Sequence, residues 1–410
     1  MMDLFDTAQT RKLFPYFCSG NRGANVYFDN AATTHKPSSV ISRISDFYTQ
    51  ENSNIHRGVY ELGMSATDQY ESTRKLIHEF IGSNSAKEIV LTSGATESVN
   101  LVAQTYGKKF VKKGDIILVS PIEHHANLIP WQVIAKENGA KIKEIPISKD
   151  LTINFDELDS VLSEKVKLIA INHVSNVTGM SQDIGLLVKS CKKFKIPVFV
   201  DGAQAGSHIK INVSELGCDF YCFSGHKLFG PTGTGALFIK EEFMREMPPY
   251  KTGGQMVSKV GFQDSTWTDY PLKFEAGTPN IAGIIGLGEA IKFIQNIDFQ
   301  QLASYENYLS VLMTEKLAEV PFLELYGNSK KAAPIFAFNI KNIHHYDLAA
   351  LLSENGVLVR SGHLCNQSLM DFLNIDGCVR ASLSIYNSEE EVYNFIQALK
   401  KVVKFLSKSV

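Results

Sequence analysis

Between residues 85 and 240 the chain alternates short apolar runs with amphipathic segments. This alternation limits the possible folds more than any other feature. The runs include "EIVLT" (88–92), "DIILVS" (115–120), "VKLIAINHV" (166–174), "PVFVDG" (197–202), "CDFYCFS" (218–224) and "GALFIK" (235–240). They are short and rich in β-branched and aromatic residues, so they read as strands. Strands apolar along their whole length are buried on both faces, which indicates an α/β sheet, mostly parallel, with helical segments between the strands. Ligands of such sheets bind beyond the carboxyl ends of the strands. Asp201 closes one run there, and Ser224 to Lys227 follow another.

A second pattern begins near residue 285. Helical segments "IIGLGEAIKFIQNI" and "FQQLASYENYLSVLMTEKLAEV" precede "IFAFNIK", "YDLAALLSENG", "VLVRSGH", "VRASLSIY" and a final helix from about 388 to 407. Ser388 is the candidate cap of that last helix, with three glutamates in its first turn and lysines towards its end. This reads as a smaller α+β unit, and 410 residues are enough for both. Residues 248–280 form a long Gly-rich stretch, expected to be functional or to lie at a subunit contact. A formal net charge of -2 gives no reason to expect nucleic acid or an anionic membrane as partner. The N-terminal "MMDLFDTAQTRKLF" lacks the pattern of a secretory signal, and no apolar stretch is long enough to span a membrane. A cytoplasmic setting is expected, with free thiols instead of a disulfide framework. Cys218 and Cys222 read as core thiols, and no metal site is expected.

Several segments carry chemistry. In "FSGHKLFGPTGTGAL" (223–237), Lys227 follows a strand between Ser224, His226 and glycines, where a lysine can form a covalent link to a carbonyl compound. Asp201 in "VDGAQAG" lies 26 residues earlier at another strand end. A lysine for the aldehyde, a carboxylate for the pyridinium nitrogen and a donor nest for the phosphate are what pyridoxal phosphate requires. Gln204 can donate to the ring oxygen, and Ala203 is small enough for the ring to lie against the backbone. "LTSGATESVN" (91–100) runs from a strand end through a tight turn into a helix, an arrangement suited to phosphate. "SPIEHHANLIPW" places His124 and His125 after a strand; one ring there can stack on a cofactor, and His125 also reads as a hydrogen-bonded loop residue. Asn176 in "NHVSNVTG" follows another strand. "LVRSGHLCNQSLM" (358–370) sets Cys365 in a polar loop with Arg360 and His363.

The ordered set "TSGATESVN", "EHHAN", "HVSNVTG", "DGAQ", "SGHKLFGPTGTG", "FEAGTPN", "RSGHLC" and "VRASLSIYN" resembles the class V, fold-type I pyridoxal-phosphate enzymes. The similarity is greatest to the SUF-type (group II) cysteine desulfurases and selenocysteine lyases, and runs from "YFDNAATTHKP" (27–37) to the C-terminal helix. The resemblance implies a large cofactor domain (26–285) with a mostly parallel, mixed seven-stranded sheet, and a small α+β domain (1–25 and 286–410) carrying the cysteine loop. By the same resemblance Lys227 would bind the cofactor covalently, Asp201 would meet the pyridine nitrogen, Gln204 the ring oxygen, and His124 would stack over the ring opposite Ala203. Thr96, Ser224 and His226 would bind the phosphate with Ala95 beside them, and Thr278 would reach in from the other subunit of a homodimer. Arg380 and Asn176 would hold the substrate carboxylate, Asn176 also touching the cofactor. Arg360, Arg57 and His56 would line the substrate entrance. Cys365 would take sulfur from L-cysteine as a persulfide, releasing L-alanine, and pass it to a SUF-type acceptor for iron–sulfur cluster assembly. Nearby arginines would favour its thiolate.

The family loop usually reads R-[TSA]-G-H-H-C-A before a Pro-containing turn. Here Leu364 stands for the second histidine, Asn366 for the alanine and Ser368 for the proline. Loss of a proline removes a φ constraint, so a looser segment is expected. The altered loop is the feature that would favour a selenocysteine lyase or another class V lyase. Intact Lys227 and Asp201 argue against a cofactor-free scaffold.

Overall fold

The computed structural model describes residues 5–20, 25–327 and 333–407. Residues 1–4, on which the N-terminal reading partly rests, lie outside them. The six apolar runs all form strands of one seven-stranded sheet: β1 (Ile89–Thr92), β2 (Ile116–Val119), β3 (Lys141–Glu144), β4 (Val166–Asn172), β5 (Val198–Asp201), β6 (Phe220–Ser224) and β7 (Gly235–Ile239). Their order is β1-β7-β6-β5-β4-β2-β3. Only β7 runs antiparallel to its neighbours; the other pairings are parallel. The carboxyl ends of β1, β2, β4, β5 and β6 therefore open on one edge.

Successive side chains of each strand enter two different cores. Ile89, Leu91, Ile116, Leu118, Val198 and Val200 pack on one face. Val90, Ile117, Val119 and Phe199 pack on the other with Trp131. Helices α1 (Glu61–Ile81) and α3 (Ile281–Gln295) close the first face, and α2 (Ala95–Val102) the second. Only β3, "KIKE", escapes the apolar rule: it is one of the two edge strands and largely exposed, whereas β1 at the other edge is buried.

The C-terminal part builds a four-stranded antiparallel sheet from β8 (Leu323–Tyr326), β9 (Ile335–Ile340), β10 (Arg360–Gly362) and β11 (Cys378–Ser382), in the order β8-β9-β11-β10. Helices α4 (Phe299–Ala318), α5 (His345–Glu354) and α7 (Glu389–Leu406) share a core with it, through Leu309, Met313, Leu352, Phe395 and Leu399 against Phe338 and Val379. A short helix, α6 (Gln367–Leu373), follows the cysteine loop. Ser388 caps α7 in a reciprocal box with Glu391, as its spacing suggests.

Two contacts lie close to where the sequence divides into its two patterns. Residue 285 falls inside α3, whose buried side chains belong to the core of the large sheet. Val26–Tyr27 pairs in parallel with Val357–Leu358, and Phe28 is buried in the second core. The long 248–280 stretch contains a hairpin, Val257–Val260 with Ser265–Trp267, with Phe262 fully exposed in its turn.

Candidate active site

The carboxyl edge of the large sheet and the second sheet enclose one pocket. Asp201 ends β5 on its floor, where Oδ1 accepts the Ala203 N–H (2.9 Å). Burial raises the pKa of its carboxyl, and Lys227 opposes that shift. The Gln204 amide donates to the Ala31 carbonyl (2.7 Å), which ties this floor to the N-terminal segment. Lys227 follows β6 in a short helical turn and lines the same floor. Burial, with Asp201 opposing and Arg380 reinforcing, lowers its pKa to about 8.

The turn between β1 and α2 passes through Gly94 at φ 145°. That region favours glycine, and a Cβ there would stand 3.2 Å from Ser224 Oγ. The same hydroxyl accepts the Ala95 N–H (2.9 Å), so the start of α2 and the turn leading to Lys227 are held together. Thr96 lines the pocket beside them. The backbone carbonyl of His226 is fixed by four donors: Thr34 N–H (3.1 Å), Thr34 Oγ1 (3.1 Å), Thr33 Oγ1 (3.2 Å) and Lys36 Nζ (3.0 Å). Burial lowers its imidazole to about 4.

His124 enters from the loop after β2. Its Nδ1 accepts the Ala126 N–H (3.0 Å), so a neutral ring carries its proton on Nε2. Burial, reinforced by Lys227, lowers it to about 3, which keeps the ring neutral. Beneath it the buried Glu123 carboxylate accepts from the Asn172 backbone (2.8 Å), the Asn172 amide (2.7 Å) and the Asn127 amide (2.7 Å). Burial pushes Glu123 up to about 8.

Arg380 rises from β11 and is 2% exposed. It donates through Nη1 to the Asn176 carbonyl (2.8 Å) and through Nη2 to Asp29 Oδ1 (2.9 Å). Its buried Nε has no partner among the described residues. Asp29 Oδ2 also accepts from Arg360 (3.1 Å). One carboxylate thus orients both arginines. The sequence reading gave Asp29 no role, although an acid closing the apolar "VYFD" run was its available signal.

The Asn176 amide donates to the Leu364 carbonyl (2.9 Å), so it serves the cysteine loop as well as the pocket wall. Leu364 and Cys365 sit at φ 55° and 54°. That left-handed conformation costs a non-glycine residue about 1–2 kcal/mol. The loop has several side-chain anchors. Leu364 is buried against Ile122, Val177, Met180 and Leu369. Asn366 is fully buried, donates to the Ile122 carbonyl (2.9 Å) and caps α6 by accepting the Leu369 N–H (3.3 Å). Its place just before a helix was the signal for that cap. These side-chain anchors stand at the loop that lacks the family's proline.

Cys365 is exposed and shares the pocket with Lys227, Arg360 and Arg380. Cys191, Cys218, Cys222 and Cys378 are buried, and burial raises each thiol. Of the expected site residues, His56 and Arg57 are not brought to this pocket, and Thr278, expected to serve the other subunit of a homodimer, also lies apart from it. His56 pairs with Glu71 (3.1 Å) and contacts Gln255. Arg57 is exposed elsewhere, and Thr278 lines a separate hollow with Glu97 and Lys251. Among the described residues no helix is long and apolar enough to cross a membrane.

The aminotransferase class-V family model matches residues 26–395. A probable cysteine desulfurase of Halalkalibacterium halodurans is 42% identical over 398 residues, which is 97% of this chain and 98% of the relative. One from Staphylococcus aureus is 41% identical over 405 residues, 98% of each. Among solved structures, the S-sulfonic acid form of the cysteine desulfurase CsdA from Escherichia coli superposes with a TM-score of 0.91 at 36% identity, covering 98% of this chain and 100% of that one. The apo cysteine desulfurase of Thermococcus onnurineus NA1 does so with a TM-score of 0.92 at 38% identity, covering 97% and 98%. With the family match spanning most of its length and relatives above 40% identity along nearly all of it, this chain belongs to the aminotransferase class-V family.

Proposed function

We propose that the chain is a pyridoxal-phosphate-dependent cysteine desulfurase that leaves sulfur on Cys365 for transfer to an acceptor protein. The observation that carries this reading is the meeting of Lys227, Arg380 and an exposed Cys365 in one pocket. The residues present fit the cofactor. A lysine with lowered pKa faces a buried carboxylate, Asp201, and Gly94 leaves a side-chain-free approach beside Ser224. Lys227 would hold the cofactor aldehyde, Asp201 the pyridine nitrogen, Gln204 the ring oxygen, and Ala95, Thr96, Ser224 and His226 the phosphate. His124 and Ala203 would flank the ring. When bound, the cofactor supplies an electron sink next to the substrate Cα.

Arg380, with a free Nε and two oriented Nη groups, binds the substrate carboxylate, and Arg360 steers it at the entrance. The Lys227 amine, partly neutral near pH 8, moves the proton at Cα. The Cys365 thiolate attacks the substrate sulfur; the carbon–sulfur bond breaks and a sulfur–sulfur bond forms. L-cysteine and the enzyme thiol thereby become L-alanine and the enzyme persulfide, with atoms and electrons balanced.

A homodimer accounts for the residues left outside the pocket of a single chain. His56, Arg57 and Thr278 would act across its interface, at the pocket of the neighbouring copy. A SUF-type acceptor in a cytoplasmic iron–sulfur pathway is the proposed destination of the sulfur.

The test is incubation with L-cysteine and pyridoxal phosphate, with alanine and sulfide measured together and the persulfide mapped by mass spectrometry. Alanine in step with a persulfide on Cys365 is expected. Alanine without any persulfide, or a protein that stays colourless with cofactor, would overturn the proposal. Selenocysteine given to Cys365→Ala separates the lyase alternative, because that activity depends less on the thiol.

A further inference from the structure

The second histidine of "EHHAN" has no role in the chemistry above. We propose that His125 is the positioning residue for the Cys365 nucleophile, bracketing it with two hydrogen bonds. Its backbone N–H donates to the Cys365 carbonyl (2.7 Å), and its ring Nε2 accepts the Gln367 N–H (3.1 Å). The inference rests on the reading of Cys365 as the sulfur-accepting thiol.

The two bonds fall on either side of Asn366, which is itself pinned to the Ile122 carbonyl (2.9 Å). The two successive left-handed residues, Leu364 and Cys365, thus lead directly into a frame around Asn366 supplied by a different part of the chain, the loop after β2. An exposed thiol in such a turn has no packing of its own to fix where its Sγ points. The hydrogen bonds on its carbonyl and on the second residue beyond it supply that direction. An accepting Nε2 requires a neutral ring with its proton on Nδ1. Burial, with His363 nearby, lowers the His125 pKa, which favours a neutral ring. The same loop carries His124 into the pocket one residue earlier, so one backbone segment sets both the ring wall and the thiol.

The experiment uses the cofactor-loaded enzyme with His125→Ala, His125→Gln and Gln367→Pro. Glutamine keeps an acceptor at similar reach. Proline removes the Gln367 N–H at the first helical position, where proline is tolerated. Small misplacements of reacting groups cost up to about 100-fold in rate. The expected result for His125→Ala is at least about a tenfold fall in single-turnover persulfide formation, from that same cause. The cofactor absorption and the cysteine KM should be unchanged, and alkylation of Cys365 by iodoacetamide should be faster. His125→Gln should recover most of the rate. Gln367→Pro should match His125→Ala, and the double variant should be no worse than either single one.

Wild-type single-turnover rates in His125→Ala, or equal impairment of the Ala and Gln variants, would overturn the proposal. So would additive losses in the double variant. Cys365→Ser is run alongside. If it keeps full desulfuration, the underlying reading of Cys365 fails; if it is dead while His125→Ala is unimpaired, only the bracket fails.

Discussion

On one side of the pocket, Asp201, Ser224 and Lys227 stand at or just past the ends of adjacent strands, β5 and β6, whose register is set by continuous ladders. On the other side, Cys365 lies in a turn between β10 and α6, with two left-handed residues and anchors borrowed from Ile122, His125 and Asn176. The first wall is positioned by burial of apolar strands, a cooperative effect that no single polar contact controls. The second is positioned by a few hydrogen bonds, each open to a single substitution. A group that must hold a ring still suits the first construction. A thiol that receives sulfur and then gives it up to a partner suits the second, which leaves it exposed.

The contrast can be broken most severely at Lys227. Lys227→Ala should abolish the visible cofactor band and lower steady-state turnover by about 10³-fold or more. Retained turnover would show that the strand-end wall does not carry the chemistry. Cys365→Ser should keep the band, because it leaves that wall untouched, while losing persulfide formation by about 10²-fold or more. A changed band would mean that the two walls are coupled. Asp29→Ala frees Arg380 and Arg360 from their shared carboxylate and should raise the cysteine KM by about threefold to tenfold, the range for the net loss of one ordinary hydrogen bond. An unchanged KM in steady-state assays would remove Asp29 from carboxylate recognition.

The smallest effect concerns pH. Burial holds Lys227 at about 8, against an ordinary value of 10.5. Between those values the unfolded chain binds more protons than the folded one. This residue's contribution to the stability of the cofactor-free protein therefore rises with pH across that window. Lys227→Met lacks that contribution, so its thermal midpoint should exceed the wild type most near pH 7 and converge with it towards pH 10. A constant gap would show that the amine is not held near neutrality.

The strand-end wall was largely legible in the sequence, because strands buried on both faces declare themselves as apolar runs and the chemical groups follow their ends. β3 was not, since this edge strand is largely exposed and "KIKE" carries a single apolar residue, Ile142. The cysteine loop was legible in residue type but not in shape. Nothing in "GHLCN" states that Leu364 and Cys365 turn left-handed, or that His125, some 240 residues earlier, closes the bracket. Asp29 was missed for the same reason: its partners Arg360 and Arg380 lie more than 300 residues away, and pairing at that distance leaves no local pattern.

The charged outer strand has one more consequence. The free side of β3 offers unpaired N–H and C=O groups to any chain that could extend the sheet. Alternation places Lys141 and Lys143 on one face of that strand and Glu144 on the other. A second copy adding itself there edge to edge would bring like charges together beside a newly formed ladder. The least apolar strand of the sheet thereby acts as a guard against self-aggregation, and a change such as Lys143→Val would weaken that guard without touching the pocket.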